Sequence, residues 1–195
     1  MALIATAISC VHCAGPSKIL YGFSEPLGPH LDGVDPNGVT HTRQPLAESG
    51  IEISWTPGPT SMVLSLKNKS DDPVEILWEF CVYVDTRGRG HLGVVHGFDP
   101  FKGHPSIPPP TVVLPDSSIT TSMLPHDHVI YVRTRGIDTW IPLSLLPRYH
   151  DKGRLEEVQS YIGQRVGVVL ALVRRGRVER WHYEFEIQSA VVDRK

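Results

Sequence analysis

Ten histidines in 195 residues invite a metal reading. The densest spot is His126-Asp127-His128. On a strand, residues i and i+2 point to one side, so His126 and His128 could chelate one zinc or copper ion. Pro125 stands immediately before them and signals a turn, which spoils that geometry. A structural zinc site also needs four ligands, and no third or fourth lies nearby in sequence. His96 and His104 join only if the fold brings them close. A copper carrier would also want methionines, and the chain has Met1, Met62 and Met123 alone. The plainer reading of His126-Asp127-His128 is a polar surface loop, with a histidine-based carrier as the alternative.

Other chemistries find less support. There is no Gly-x-Ser-x-Gly elbow for a serine nucleophile and no Gly-x-x-x-x-Gly-Lys-Ser/Thr loop to cradle phosphate. Glu184 and Glu186 share a strand face and could act as a carboxylate pair, but on a regular outward face such residues solvate the sheet. Cys81 sits in an apolar stretch without the electropositive setting that lowers a thiol pKa. Arg174, Arg175 and Arg177 cluster at a turn and could touch phosphate, lipid headgroups or an acidic partner; a solvated turn that keeps the edge from aggregating is the preferred reading. The expectation is a protein that binds rather than catalyses, with no cofactor.

The three cysteines are Cys10, Cys13 and Cys81. Cys10-x-x-Cys13 lacks both the following helix of a redox motif and the further ligands of a zinc site. Met1 to Ser9 is uncharged and mostly apolar or small. With Ala7-Ile8-Ser9 before Cys10, it resembles a bacterial lipoprotein signal, in which the cysteine receives lipid. The charged n-region is absent and Ala7 stands where leucine is usual. Lipidation at Cys10 would place the chain in the cell envelope, anchored to a membrane and in contact with other envelope proteins.

The elements that must position these residues are strands. Hydrophobic content is 41%, charged content 21%, and the net charge of −2 gives no field for nucleic acid. Seventeen glycines and 17 prolines spread along the chain imply many turns. Residues 14–50 are rich in Gly, Pro and Asp and read as an extended arm, with one short strand near Ile19–Phe23. From residue 51 to 195 the texture is that of a β domain. Ile51, Ile53 and Trp55 alternate with polar residues, as do Met62, Leu64 and Leu66 with Val63, Ser65 and Lys67. Val74 to Asp85 is long for one strand and predicts a bend or bulge. Pro108-Pro109-Pro110 predicts a rigid connection. One short helix is predicted over Gly153 to Tyr161. Arg165–Arg174 and Arg177–Ile187 flank Arg175-Gly176 as a hairpin. In its second arm, Trp181, Tyr183, Phe185 and Ile187 share one face. The expected fold is an antiparallel, immunoglobulin-like β-sandwich, without the Cys…Trp…Cys of true immunoglobulin domains.

Several blocks together resemble uncharacterised bacterial lipoproteins. Asn68-Lys69-Ser70-Asp71-Asp72-Pro73-Val74-Glu75-Ile76-Leu77-Trp78 is similar to their Asn-Lys-Ser/Thr-x-x-Pro-Ile/Val-x-Ile/Val-x-Trp strand. Val84-Asp85-Thr86-Arg87-Gly88, Val94-Val95-His96-Gly97, the proline-rich loop, Pro125-His126-Asp127 and Tyr161-Ile162-Gly163-Gln164-Arg165 follow in the same order. The resemblance implies an envelope location and a β-rich fold, and no activity. The function expected is therefore a structural or accessory component of a surface or periplasmic assembly, with a periplasmic copper or zinc carrier as the alternative.

Overall fold

A computed structural model of the chain describes residues 17–26, 30–31, 49–95, 108–134, 137–147, 149–150 and 155–193. Fourteen strands follow in chain order: β1 (Ser17–Phe23), β2 (His30–Leu31), β3 (Ile51–Pro57), β4 (Met62–Asn68), β5 (Val74–Ile76), β6 (Val82–Val84), β7 (Gly90–Val95), β8 (Thr111–Val113), β9 (Ser118–Pro125), β10 (Val129–Thr134), β11 (Ile137–Pro142), β12 (Tyr149–His150), β13 (Arg165–Arg174) and β14 (Arg177–Asp193). One short helix, α1 (Leu155–Gln159), buries Val158. It lies inside the span that the sequence assigns to a helix.

Twelve strands form one hydrogen-bonded sheet in the order β12-β1-β14-β13-β6-β7-β9-β4-β3, with β2 on β14, β5 on β13 and β8 on β5. β10 and β11 pair separately as a hairpin. Every pairing is antiparallel. Trp55 on β3 and Tyr183 on β14 stand six strands apart in this order, which in a flat sheet would separate them by roughly 29 Å. Their rings are 6.0 Å apart. The sheet therefore curls until its two ends face each other across one core. The protein is all-β and antiparallel, as the sequence indicates. Its sheet is continuous and nearly closed, rather than divided into the two separate sheets of an immunoglobulin-like sandwich.

Alternation fixes which face is inward. Met62, Leu64 and Leu66 on β4 are buried, as are Trp181, Tyr183, Phe185 and Ile187 on β14. The β13–β14 turn has positive φ at Arg175 (50°) and Gly176 (73°), the pairing of dihedrals that matches the strand twist in a two-residue hairpin. The stretch from Val74 to Val84 is split by a 3-10 turn at Trp78–Phe80, which is the break its length predicts. Part of the arm before residue 51 belongs to the sheet. β1 pairs with β14 from Lys18↔Asp193 to Phe23↔Ile187, and Ile19 is buried.

Asn68 is the one fully buried polar residue among the described residues. Its Nδ2 donates to the carbonyls of Asp72 (2.8 Å) and Val113 (3.0 Å). Its Oδ1 accepts from the Ser70 N–H (3.0 Å) and the Ser70 hydroxyl (2.7 Å). The side chain thus closes the Asn68–Pro73 loop and ties it to β8, with every polar atom satisfied. Asn68→Ala removes the buried hydrogen bond to the Val113 carbonyl and the ties to Ser70, while the Asp72 carbonyl keeps the Ser70 hydroxyl as a donor, and a loss of roughly 1–3 kcal/mol is expected. Urea denaturation measures it; a change below about 0.5 kcal/mol would show that Asn68 is not a structural hub.

Candidate metal centre

β7 and β9 bring together residues far apart in sequence. Their register pairs Gly93 with Pro125 and Val94 with Leu124. Two steps beyond Gly93, the same register sets His91 against Asp127. Gly93 permits this approach. A Cβ there would stand 2.6 Å from Met123 Sδ and 3.1 Å from the Cys81 carbonyl oxygen, while the Gly93 N–H donates to that same carbonyl at 2.8 Å.

After Pro125 the chain enters a 3-10 turn, His126–His128. Successive residues of such a turn are about 120° apart, so His126 and His128 do not share a side. The strand geometry under which those two would chelate one ion is therefore absent, and the turn signalled by Pro125 is its cause. His128 points instead to His91, with ring centroids 5.2 Å apart and edge to face. His126 is not part of the cluster. The base of the next hairpin holds His128 in place, since the Leu143 N–H donates to the His128 carbonyl at 2.7 Å.

The result is a cluster of His91, Asp127 and His128 whose ligand atoms all lie within 4.8 Å of one another. Asp127 bridges the two rings: Oδ2 is 2.7 Å from His91 Nδ1, and Oδ1 is 3.0 Å from His128 Nδ1. Ligands on a tetrahedral ion at about 2.1 Å are spaced about 3.4 Å apart. Side-chain rotations that contract the cluster would convert this arrangement into a two-nitrogen, one-oxygen ligand set. The His91 side chain is 11% exposed and Asp127 58%, so the site is walled on the His91 side and open on the Asp127 side. That leaves room for solvent or an incoming ligand at the remaining positions.

A second carboxylate stands behind His91. Asp85 Oδ2 is 3.4 Å from His91 Nε2. Asp85 Oδ1 accepts the backbone N–H groups of Arg87 and Arg89, each at 2.8 Å, and Oδ2 takes the Arg89 side chain at 3.0 Å. Burial opposes its ionisation, but the N–H groups of Arg89 and Arg87, the Arg89 side chain and the His91 ring together hold its carboxyl at about 2. Asp127 is likewise lowered, burial being outweighed by the His128 and His91 rings.

The other residues singled out in the sequence fall elsewhere. Arg174 donates to Glu179 Oε1 (3.0 Å) and to the Ser49 carbonyl (2.9 Å). Arg175 pairs with Asp72, and Arg177 is exposed. Glu184 faces Arg165 at 3.4 Å on the outer surface. Cys81 is a buried free thiol, its pKa pushed up by burial to about 12, which makes it a small apolar core residue rather than a nucleophile. Cys10, Cys13, His96 and His104 lie outside the described residues. His91 is the residue that sequence reasoning misses. Its only local signal is a histidine between Gly90 and Leu92 in a strand, after a turn that carries Asp85, Arg87 and Arg89.

The depressed Asp85 pKa predicts a pH dependence. A group lowered from 3.8 to about 2 contributes stability that is complete above its unfolded value and is lost as pH falls to about 2. Urea midpoints measured from neutral pH down to about pH 2 should fall more steeply below pH 4 in the native protein than in Asp85→Asn. Parallel curves would show that Asp85 carries no such term. No family model, curated protein or solved structure matches this chain, so the functional reading stands on this geometry.

Proposed function

We propose that the protein is a carrier of a divalent transition-metal ion, zinc or copper(II), held by His91, Asp127 and His128. The observation that carries this reading is the convergence of two imidazole nitrogens on the two oxygens of one carboxylate, from a strand and a 3-10 turn more than 30 residues apart in sequence. Imidazole suits zinc and copper, and the absence of a thiolate or thioether in the set argues against copper(I). One carboxylate and two neutral nitrogens are too few hard oxygen ligands for calcium, which takes six to eight. Three protein ligands with an open side favour exchange over permanent retention.

A structural or accessory role through protein–protein contact is the second reading. It is favoured by Ile130, Tyr131, Ile141 and Leu143, which are exposed on and beside the β10–β11 hairpin directly after the metal cluster. The location proposed for either role is the cell envelope, through lipid on Cys10. Intact mass of membrane-extracted protein should then give a diacylglycerol adduct on a chain beginning at Cys10, and a mature chain starting at Met1 would sink the anchor.

Isothermal titration with zinc and with copper(II) tests the metal reading. One ion per chain is expected with Kd at or below about 1 µM. His91→Ala and His128→Ala should each weaken binding by at least about 100-fold, whereas His126→Ala should not. Binding weaker than micromolar by the native protein, or equal loss in His126→Ala, would end the proposal.

A further inference from the structure

His91 sits between two carboxylates and cannot satisfy both while neutral. A neutral imidazole carries one proton. With Nδ1 2.7 Å from Asp127 Oδ2, the proton belongs on Nδ1, and this leaves Nε2 without a donor hydrogen. Nε2 is buried and has no hydrogen-bond partner, although Asp85 Oδ2 is only 3.4 Å away. In that arrangement Nε2 makes no hydrogen bond to the carboxylate.

Resting on the metal reading above, we infer that Asp85 is the positioning residue of the site: it accepts a hydrogen bond from His91 Nε2–H when a metal ion takes Nδ1. An ion bound at Nδ1 excludes hydrogen there, and the single proton of the neutral ring moves to Nε2. Nε2–H then points at Asp85, and an approach of about 0.5 Å makes an ordinary hydrogen bond. The orphaned nitrogen thereby gains a partner. Carboxylate–histidine–metal relays of this form fix the ring tautomer and raise the basicity of the ligating nitrogen. Asp85 is suited to the task because it does not move. Its other oxygen is held by the Arg87 and Arg89 N–H groups of the β6–β7 turn. Arg89, on the same oxygen as His91, balances its charge from the solvent side, with 62% of its own side chain exposed. His91 in turn is fixed by β7 and packs near Tyr83, with ring centroids 6.1 Å apart.

Asp85→Asn separates this role from a merely structural one. The amide oxygen keeps the two backbone hydrogen bonds that shape the turn, while the NH2 group replaces the acceptor facing His91. The geometry predicts an intact fold and zinc affinity lower by about 10- to 100-fold in Asp85→Asn. A second measurement needs no variant. Long-range 1H–15N correlation of histidine-labelled native protein should place the His91 proton on Nδ1 without metal and on Nε2 with zinc bound. If the native protein binds zinc but Asp85→Asn binds it equally well, or if His91 is ligated through Nε2, the role of Asp85 is overturned while the metal site stands. If the native protein takes up no zinc, the metal reading itself fails.

Discussion

The arrangement of the whole sheet depends on one corner. β5 and β6 lie on the same edge of β13, with Ile76 opposite Leu172 and Val82 opposite Val169. Five residues, 77 to 81, therefore face two, 170 and 171. The surplus cannot lie in the ladder, and it is taken up by the 3-10 turn at Trp78–Phe80. Leu77 keeps hold of β13 through its N–H to the Ala171 carbonyl at 3.0 Å. Trp78 fills the corner from within, 1% exposed, and its indole N–H donates to Thr111 Oγ1 at 2.8 Å. Burying a side chain of this size is worth on the order of 4 kcal/mol, enough to hold an irregular segment in a defined place. Beyond the corner β6 rejoins β13, and β7, its antiparallel neighbour, meets β9. That meeting sets His91 against Asp127.

Charge explains why the cluster suits a cation. Asp85 and Asp127 both have pKa values below the usual carboxylate range and are ionised at neutral pH. Arg89 offsets one of them. Two imidazoles, two carboxylates and one guanidinium leave a local excess of one negative charge when the rings are neutral. The proton inventory is also short, with one His91 hydrogen for two flanking oxygens. A dication at Nδ1 answers both deficits, since it neutralises Asp127 and frees the ring proton for Asp85.

How much of this could be read from the sequence follows from which interactions are local. The β13–β14 hairpin is legible because Trp181, Tyr183, Phe185 and Ile187 alternate with polar residues, and because Arg175-Gly176 supports the turn dihedrals. The corner is legible as a length anomaly in Val74–Asp85, though not as a 3-10 turn. The β1 strand can be recognised, but its partner cannot, because edge pairing is made by backbone atoms that carry no residue code. The cluster of His91, Asp127 and His128 is half legible. His128 and its acidic neighbour stand out in sequence, and Pro125 correctly signals the turn that separates His126 from His128. His91 is invisible because its place depends on the register of β7 with β9 across a long connection. The expectation of an antiparallel all-β fold holds, while its division into two stacked sheets is not evident, for a similar reason. Strand patterns report which face is dry, not whether the hydrogen-bond ladder is interrupted between the halves.

The relation between the site and the core bears on what the metal would do. The hydrophobic core runs from Ile51 and Trp55 through Trp78, Leu170 and Phe185, and contains none of His91, Asp127 or His128. Asn68, the buried polar residue outside that core, is satisfied by protein atoms alone. A structural metal closes a fold that would otherwise lack a sufficient core, and this fold has one without it. The three residues also differ in exposure. The His91 side chain is 11% exposed on a paired strand, whereas those of Asp127 and His128 are 58% and 30% exposed on the 3-10 turn between β9 and the β10–β11 hairpin. An ion held there would enter from the Asp127 side without any break in the sheet, which is what cargo would require and a staple would not.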